Sequence, residues 1–337
     1  MSSSPITANR PRTLILPDLV SYCSFDLAIN EGCEVCSADS IEWIASFGDL
    51  SEKQRASMAS IKLGTLAAMS WPSCDIHGLR IGADFMNYVF WLDDYTDGLQ
   101  HTEALRVREV VVDILRQPEA HCEQGRSGSA LEKLTYDIWM RMLPQCGEGT
   151  KTRFIEANHL FLQAVYGQSV LCIGGELSLL DGYIMLRRDD GGAKPMFVLI
   201  EYALGWELPS ELVDDPVIKR LEDEANDMIV WSNDIFSFKK EQARGDRNNL
   251  ITIVMEEKGL SMQEAFDFVG DMWKARFHDF KEDRKKLPSW GEVVNRQVEG
   301  YVQGLADWVV GNIHWSFASK RYFESERDFL GAHVASS

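Results

Sequence analysis

The sequence predicts one all-α domain of ten or more helices, and three observations predict it. Apolar residues recur at helical spacing through most of the 337-residue chain. Strand signals are scarce, with no run of alternating Val, Ile and Thr bounded by tight-turn dipeptides. The loop-like stretches are too short to separate domains, and no repeat is present. The composition is 45% hydrophobic and 26% charged, a globular balance with ample material for a large core.

Residues 1–14 read as a flexible segment. They lack the apolar core and small-residue cleavage pattern of a signal peptide. Cys33 and Cys36 form a CxxC, for which two buried thiols are a better reading than metal or redox use, since no second pair or HxxxH accompanies them. All seven cysteines lie in the first 172 positions, and their odd number argues for a reducing, cytoplasmic compartment over a disulfide framework. The formal charge of −18, from 34 basic and 52 acidic residues, disfavours nucleic acid and anionic membranes as partners. It does not disfavour metal cations, which can bring an anionic substrate with them.

The segment 85–98, "FMNYVFWLDDYTDG", is an aromatic helix ending in acid. Asp93 and Asp97 share a face that continues downward through Phe90, Val89 and Met86, while Asp94 is turned about 100° away. Apolar below and doubly anionic at the rim, this stripe suits a greasy pocket capped by a hard cation. Acids near a helix C-terminus oppose the macrodipole, so an ending at Gly98 calls for a counter-cation. Helical rows continue through 103–117 and 130–143, separated by a loop at 118–129. Ala157–Gly175 carries no Asp, Glu, Lys or Arg. Its amides, histidine and glycines fit a buried or cavity-lining helix better than a membrane span. A loop is expected at 187–195.

"NDIFSFKKE" (233–241) places Asn233, Ser237 and Glu241 at i, i+4 and i+8, about 80° of one helix surface. An amide, a hydroxyl and a carboxylate form a hard-oxygen set suited to Mg²⁺, which fills its other positions with water and phosphate oxygens. Ile229, Val230 and Asn226 extend the stripe backward, and Lys240 lies beside Glu241. The flanking phenylalanines argue against a plain solvated face. Loops at 243–249 and 286–291 bracket a helix over 265–287, and a last one spans 295–315 before a short tail at 331–337.

The two motifs together resemble the aspartate-rich motif and NSE triad of class I terpene synthases, most closely the fungal, basidiomycete-type sesquiterpene synthases. "LILPDL" (14–19), "YIMLRRDDGGAKP" (183–195), "ARGDRNNLITIVMEEKG" (243–259) and "HWSFASKRYF" (314–323) extend the likeness over most of the chain, in family order. The resemblance implies a helical bundle around a central apolar pocket, with residues 15–330 as its α domain. It implies a lyase that ionises farnesyl diphosphate, with three Mg²⁺ ions, and releases diphosphate and a cyclic or acyclic sesquiterpene or its alcohol. Asp93 and, less directly, Asp97 are then metal ligands on one side, and Asn233, Ser237 and Glu241 on the other. Arg187 matches the diphosphate-sensing arginine, and Asp190 and Gly191 match the linker and effector positions. Fungal members often carry a small hydroxyl residue where this chain has Asp190. Lys240, Arg321 and Tyr322 match diphosphate donors, and Phe90 and Trp315 the aromatic wall. From the residues alone, Arg187 and Arg188 are indistinguishable, and Phe90 and Trp315 read as ordinary core. A chain-elongating prenyltransferase and a non-catalytic acidic helical binding protein are the alternatives. A monomer or homodimer without a membrane anchor is expected.

Overall fold

The computed structural model describes residues 14–47, 50–96, 99, 101–166 and 179–323. Among them the regular elements are all helical. In order they are α1 Leu19–Tyr22, α2 Cys33–Phe47, α3 Glu52–Ile61, α4 Leu63–Ser70, α5 Ile76–Thr96, α6 His101–Arg116, α7 Cys122–Ser127 and α8 Ala130–Met142. Then follow α9 Glu148–Tyr166, α10 Leu179–Asp190, α11 Ala193–Leu204, α12 Ser210–Val213, α13 Pro216–Arg244, α14 Leu250–Lys258, α15 Met262–Arg284 and α16 Glu292–Ala318. No helix among the described residues is long and apolar enough to cross a membrane.

Local chemistry sets many of these boundaries. Ser51–Gln54, Ser129–Glu132 and Ser261–Glu264 form reciprocal capping boxes at the starts of α3, α8 and α15. Asp215 caps α13 with Pro216 at its first position, and Gly245 closes it in the left-handed conformation. The 118–129 stretch, expected as a loop, instead holds a 3₁₀ turn, Pro118–His121, and then α7. Proline at a first helical position has no N–H to lose, and α7 packs on α8. The expected loop at 187–195 is also shorter, because α10 runs to Asp190 and α11 starts at Ala193.

Helix α13 is the centre of the molecule. It packs along α15 on one side and α16 on another, while α4 joins α5 to α16 and α9 packs on α11. Its buried face is nearly continuous from Glu224 to Ser232 and again from Asp234 to Phe238. The N-terminal arm is fastened to α15 by a side chain that imitates a peptide. The Gln263 amide accepts from Ile15 N at 3.0 Å and donates to Ile15 O at 2.9 Å. Between α4, α5, α9, α10, α11, α13 and α16 lies a cavity of about 290 Å³, open at one end. As expected for the uncharged stretch of α9, Phe161 and Val165 line it; residues beyond 166 in that stretch lie outside those described.

Cys33 and Cys36 are packed thiols. Cys36 Sγ approaches Ile76 O at 3.7 Å and Cys33 Sγ approaches Thr65 Oγ1 at 3.9 Å. All six described cysteines are free.

Candidate active site

The C-terminal part of α5 brings Met86, Val89, Phe90 and Asp93 to the cavity in rising order, as one face of a helix does. Asp93 is exposed at the mouth. Asp97 lies outside the described residues. Opposite, α13 presents Ile229 and Val230 to the wall, with Asn233 and Glu241 at the rim.

The polar side chains of α13 are held in place by neighbours. Asn233 Oδ1 accepts from Arg187 Nη2 at 2.9 Å, and its Nδ2 donates to Tyr322 Oη at 2.6 Å. Glu241 Oε2 accepts from Asn249 Nδ2 at 2.9 Å. Asn249 also donates to Asp234 O and caps α14, so one amide joins the start of that helix to the carboxylate. Ser237 is 5% exposed, and its Oγ has no hydrogen-bond partner. A buried hydroxyl without a partner costs about 1–3 kcal/mol. Between an amide and a carboxylate on one stripe, that oxygen fits a hard cation that would complete its bonding. Among the described residues no three acidic, His or Cys side chains form a cation site on their own. The oxygen atoms along this stripe are instead a mixed set of amide, hydroxyl and carboxylate.

Arg187 projects from α10 into this network. Its Nη1 donates to Asp190 Oδ1 at 2.8 Å and its Nε to Asp234 Oδ1 at 3.1 Å. Burial opposes its charge, but Asp234 and Asp190 outweigh that and hold its pKa well above the ordinary arginine value. Burial pushes Asp234 up to about 6 although Arg187 and Tyr183 favour its carboxylate. Arg188 points away, to a bidentate pair with Asp227 at 2.7 and 2.8 Å and a bond to Asp223. The two arginines that sequence could not separate thus divide into one at the cavity and one in a structural cluster.

The helix break between them and α11 is set by two glycines. A Cβ on Gly191 would lie 2.3 Å from Val230 Cγ1, and Gly192 has φ +71°. The break therefore sits directly against α13, in a conformation that favours glycine.

At the end of α16, Arg321 stacks over Phe90 at 4.5 Å and donates from Nε to Tyr322 Oη at 3.2 Å. Trp315 is 2% exposed, donates to Ile61 O at 2.7 Å, and meets Phe90 edge-on at 6.3 Å. Trp315 is core and Phe90 packs against it half-buried, and both line the cavity, so the core and wall readings are not exclusive here. Lys240 is exposed outside the wall. Partial burial, together with Arg321 and Arg244, lowers its pKa, and Asp94 and Glu241 act in the other direction. Those neighbours place it beside the mouth.

Sequence reasoning missed Asp234, Asn249 and Asn312. Asn249 had a visible signal, an Asn directly before the apolar run of α14, which is an N-cap signature. Asp234 and Asn312 had none, because their partners lie on other helices.

Residues 84–279 match the family described as terpene synthase family 2, C-terminal metal binding. The chain is 40% identical over 323 residues to Sesquiterpene synthase 1 of Postia placenta, covering 96% of this chain and 94% of the relative. It is 41% identical over 336 residues to alpha-muurolene synthase of Coprinopsis cinerea, covering 98% of this chain and 79% of that one. The fold is similar to that of hedycaryol synthase in complex with HEPES, with TM-score 0.77 and 23% identity over 90% of this chain and 98% of that one.

Proposed function

The chain belongs to the terpene synthase family, and from that premise we propose that it is a Mg²⁺-dependent sesquiterpene synthase acting on farnesyl diphosphate. The observation that carries this reading is the division of one cavity into an apolar wall and a rim of oxygen donors and guanidinium groups. A prenyl diphosphate is divided in the same way, into a long apolar tail and a highly charged head. The relatives at about 40% identity bear sesquiterpene synthase names, which supports a fifteen-carbon substrate.

In this reading Asp93 would hold metal from α5, joined by Asp97 from the sequence beyond its described end, and Asn233, Ser237 and Glu241 would hold it from α13, for three ions in all. Bound there with diphosphate, the metal supplies Lewis-acid stabilisation of the charge that develops as the C–O bond breaks. Arg187, Lys240, Arg321 and Tyr322 donate to the diphosphate oxygens and fix the head group at the rim. Asp190 and Gly191 carry the position of Arg187 across the helix break. Phe90 and Trp315 offer ring faces to the allylic cation, and the surrounding apolar wall keeps water from it. Residues 15–330 act as one catalytic domain, in the cytoplasm, without nucleic acid or a stable membrane partner, as a monomer or homodimer.

The test is incubation with farnesyl diphosphate and Mg²⁺, with headspace gas chromatography–mass spectrometry. A terpene hydrocarbon or alcohol is expected, together with inorganic diphosphate. No such product, with geranyl and geranylgeranyl diphosphate also inert, would sink the proposal. Consumption of isopentenyl diphosphate would instead indicate chain elongation. An Asn233→Ala variant that changed nothing but stability would favour a binding protein.

A further inference from the structure

Among the described residues lining the cavity, those below the rim are apolar or aromatic except at one point on α16. Asn312 is 6% exposed there. Its Nδ2 donates to Ser232 Oγ at 2.9 Å and to Ile229 O at 3.4 Å. Ser232 gives its own single proton to Ile229 O at 2.8 Å. A hydroxyl that has spent its proton can only accept, so the group facing Ser232 must be the N–H side of the amide. The Asn312 oxygen is thereby turned away from α13. Among the described residues no donor reaches it, and the hydroxyl of Ser316, one turn on, is committed to the Asn312 backbone carbonyl at 2.7 Å. The negative end of an amide dipole is left to the cavity.

We propose that Asn312 is a specificity-determining residue whose fixed carbonyl oxygen holds positive charge at one depth of the cavity and so selects among the ring closures of the folded chain. The inference rests on the function proposed above. Inside an apolar wall an oriented dipole is weakly screened, and it need not reorganise when a cation forms beside it. No bond forms to Asn312 and no proton passes to it. Its action is electrostatic, and Ser232 serves as the positioning residue that keeps the oxygen aimed.

The experiment compares product composition, normalised to diphosphate released, for wild type, Asn312→Leu and Ser232→Ala with farnesyl diphosphate and Mg²⁺. Leucine nearly matches asparagine in shape, so it removes the dipole while retaining the contour. Ser232→Ala keeps the dipole and removes its anchor. Both variants are expected to lower the share of the wild-type major product at least twofold, with other closures or early-quenched products rising. A merely structural role would reduce turnover without moving the normalised composition. If Asn312→Leu lacks a thermal transition, Ser232→Ala decides, because it deletes one hydroxyl. An active wild type whose folded variants keep its composition overturns the inference alone. A wild type that releases no diphosphate overturns the functional reading and the inference with it.

Discussion

Arg187 and Arg188 are adjacent in sequence but face different surroundings, and their substitution should separate activity from stability. Arg187→Ala is expected to lower turnover by at least 100-fold, since it frees Asn233 and Asp190 and, in the proposed function, removes a diphosphate donor. Arg188→Ala removes a bidentate partner from Asp227, which is 0% exposed and among the described residues keeps only Arg276. It should cost about 2 kcal/mol in urea unfolding and leave the folded fraction active. Glu224 makes a second prediction. Burial, with Asp283 and Asp279 nearby, raises its pKa from 4.5 to about 8, and its Oε2 has no hydrogen-bond partner. The folded state thus holds a proton that the unfolded chain releases near pH 4.5. This group's contribution to stability therefore falls as pH rises from about 4.5 to about 8, and is level above that. Glu224→Gln should remove this slope and gain about 4 kcal/mol at pH 8 relative to wild type, with less than about 1 kcal/mol of change near pH 5. Urea unfolding at the two pH values checks it.

Two glycines form the break between α10 and α11, where an added methyl is expected to act at a distance. Gly191→Ala would press on Val230 and on the Arg187 carbonyl, 3.0 Å from the new Cβ. Pushing α10 away from α13 should cost about 1–3 kcal/mol. It should also raise the KM for the diphosphate substrate more than Gly205→Ala does, where nothing lies within 4 Å. Elements of this length were legible in the sequence wherever a helix has one wet face. The predicted 130–143, 265–287 and 295–315 helices correspond closely to α8, α15 and α16. The N-terminal helices were less so. Helix α4 is buried along almost its whole length, so it offers no polar–apolar alternation to read. Asn233 and Glu241, which reach the rim, and Ser237, which stays buried between them, were legible as one stripe because they obey a local period of four. The Ser232–Asn312 contact joins residues 80 apart, and the choice between Arg187 and Arg188 depends on which helix each one meets. No local pattern encodes either.

At the scale of the whole molecule, the donors on α5 and α13 belong to opposite walls and carry too little charge to hold several cations unaided. Metal and diphosphate are therefore expected to bind together. Mg²⁺ with inorganic diphosphate should raise the Tm by several degrees, while each alone gives little, because only ligands bound to the folded state contribute. Tight binding of three ions without diphosphate, measured calorimetrically, would refute the coupling. The layering of the cavity also bears on how such a protein changes over generations. In the proposed function the groups that break the C–O bond stand at the mouth, and those that shape the folded chain stand a turn or more deeper on the same helices. Wall positions on α9, α11 and α16 can therefore vary, and the product with them, while the machinery for ionisation is left intact. Ile229 and Val230 have less latitude, since they share α13 with the rim donors. New scents are more accessible to such a lineage than new leaving groups.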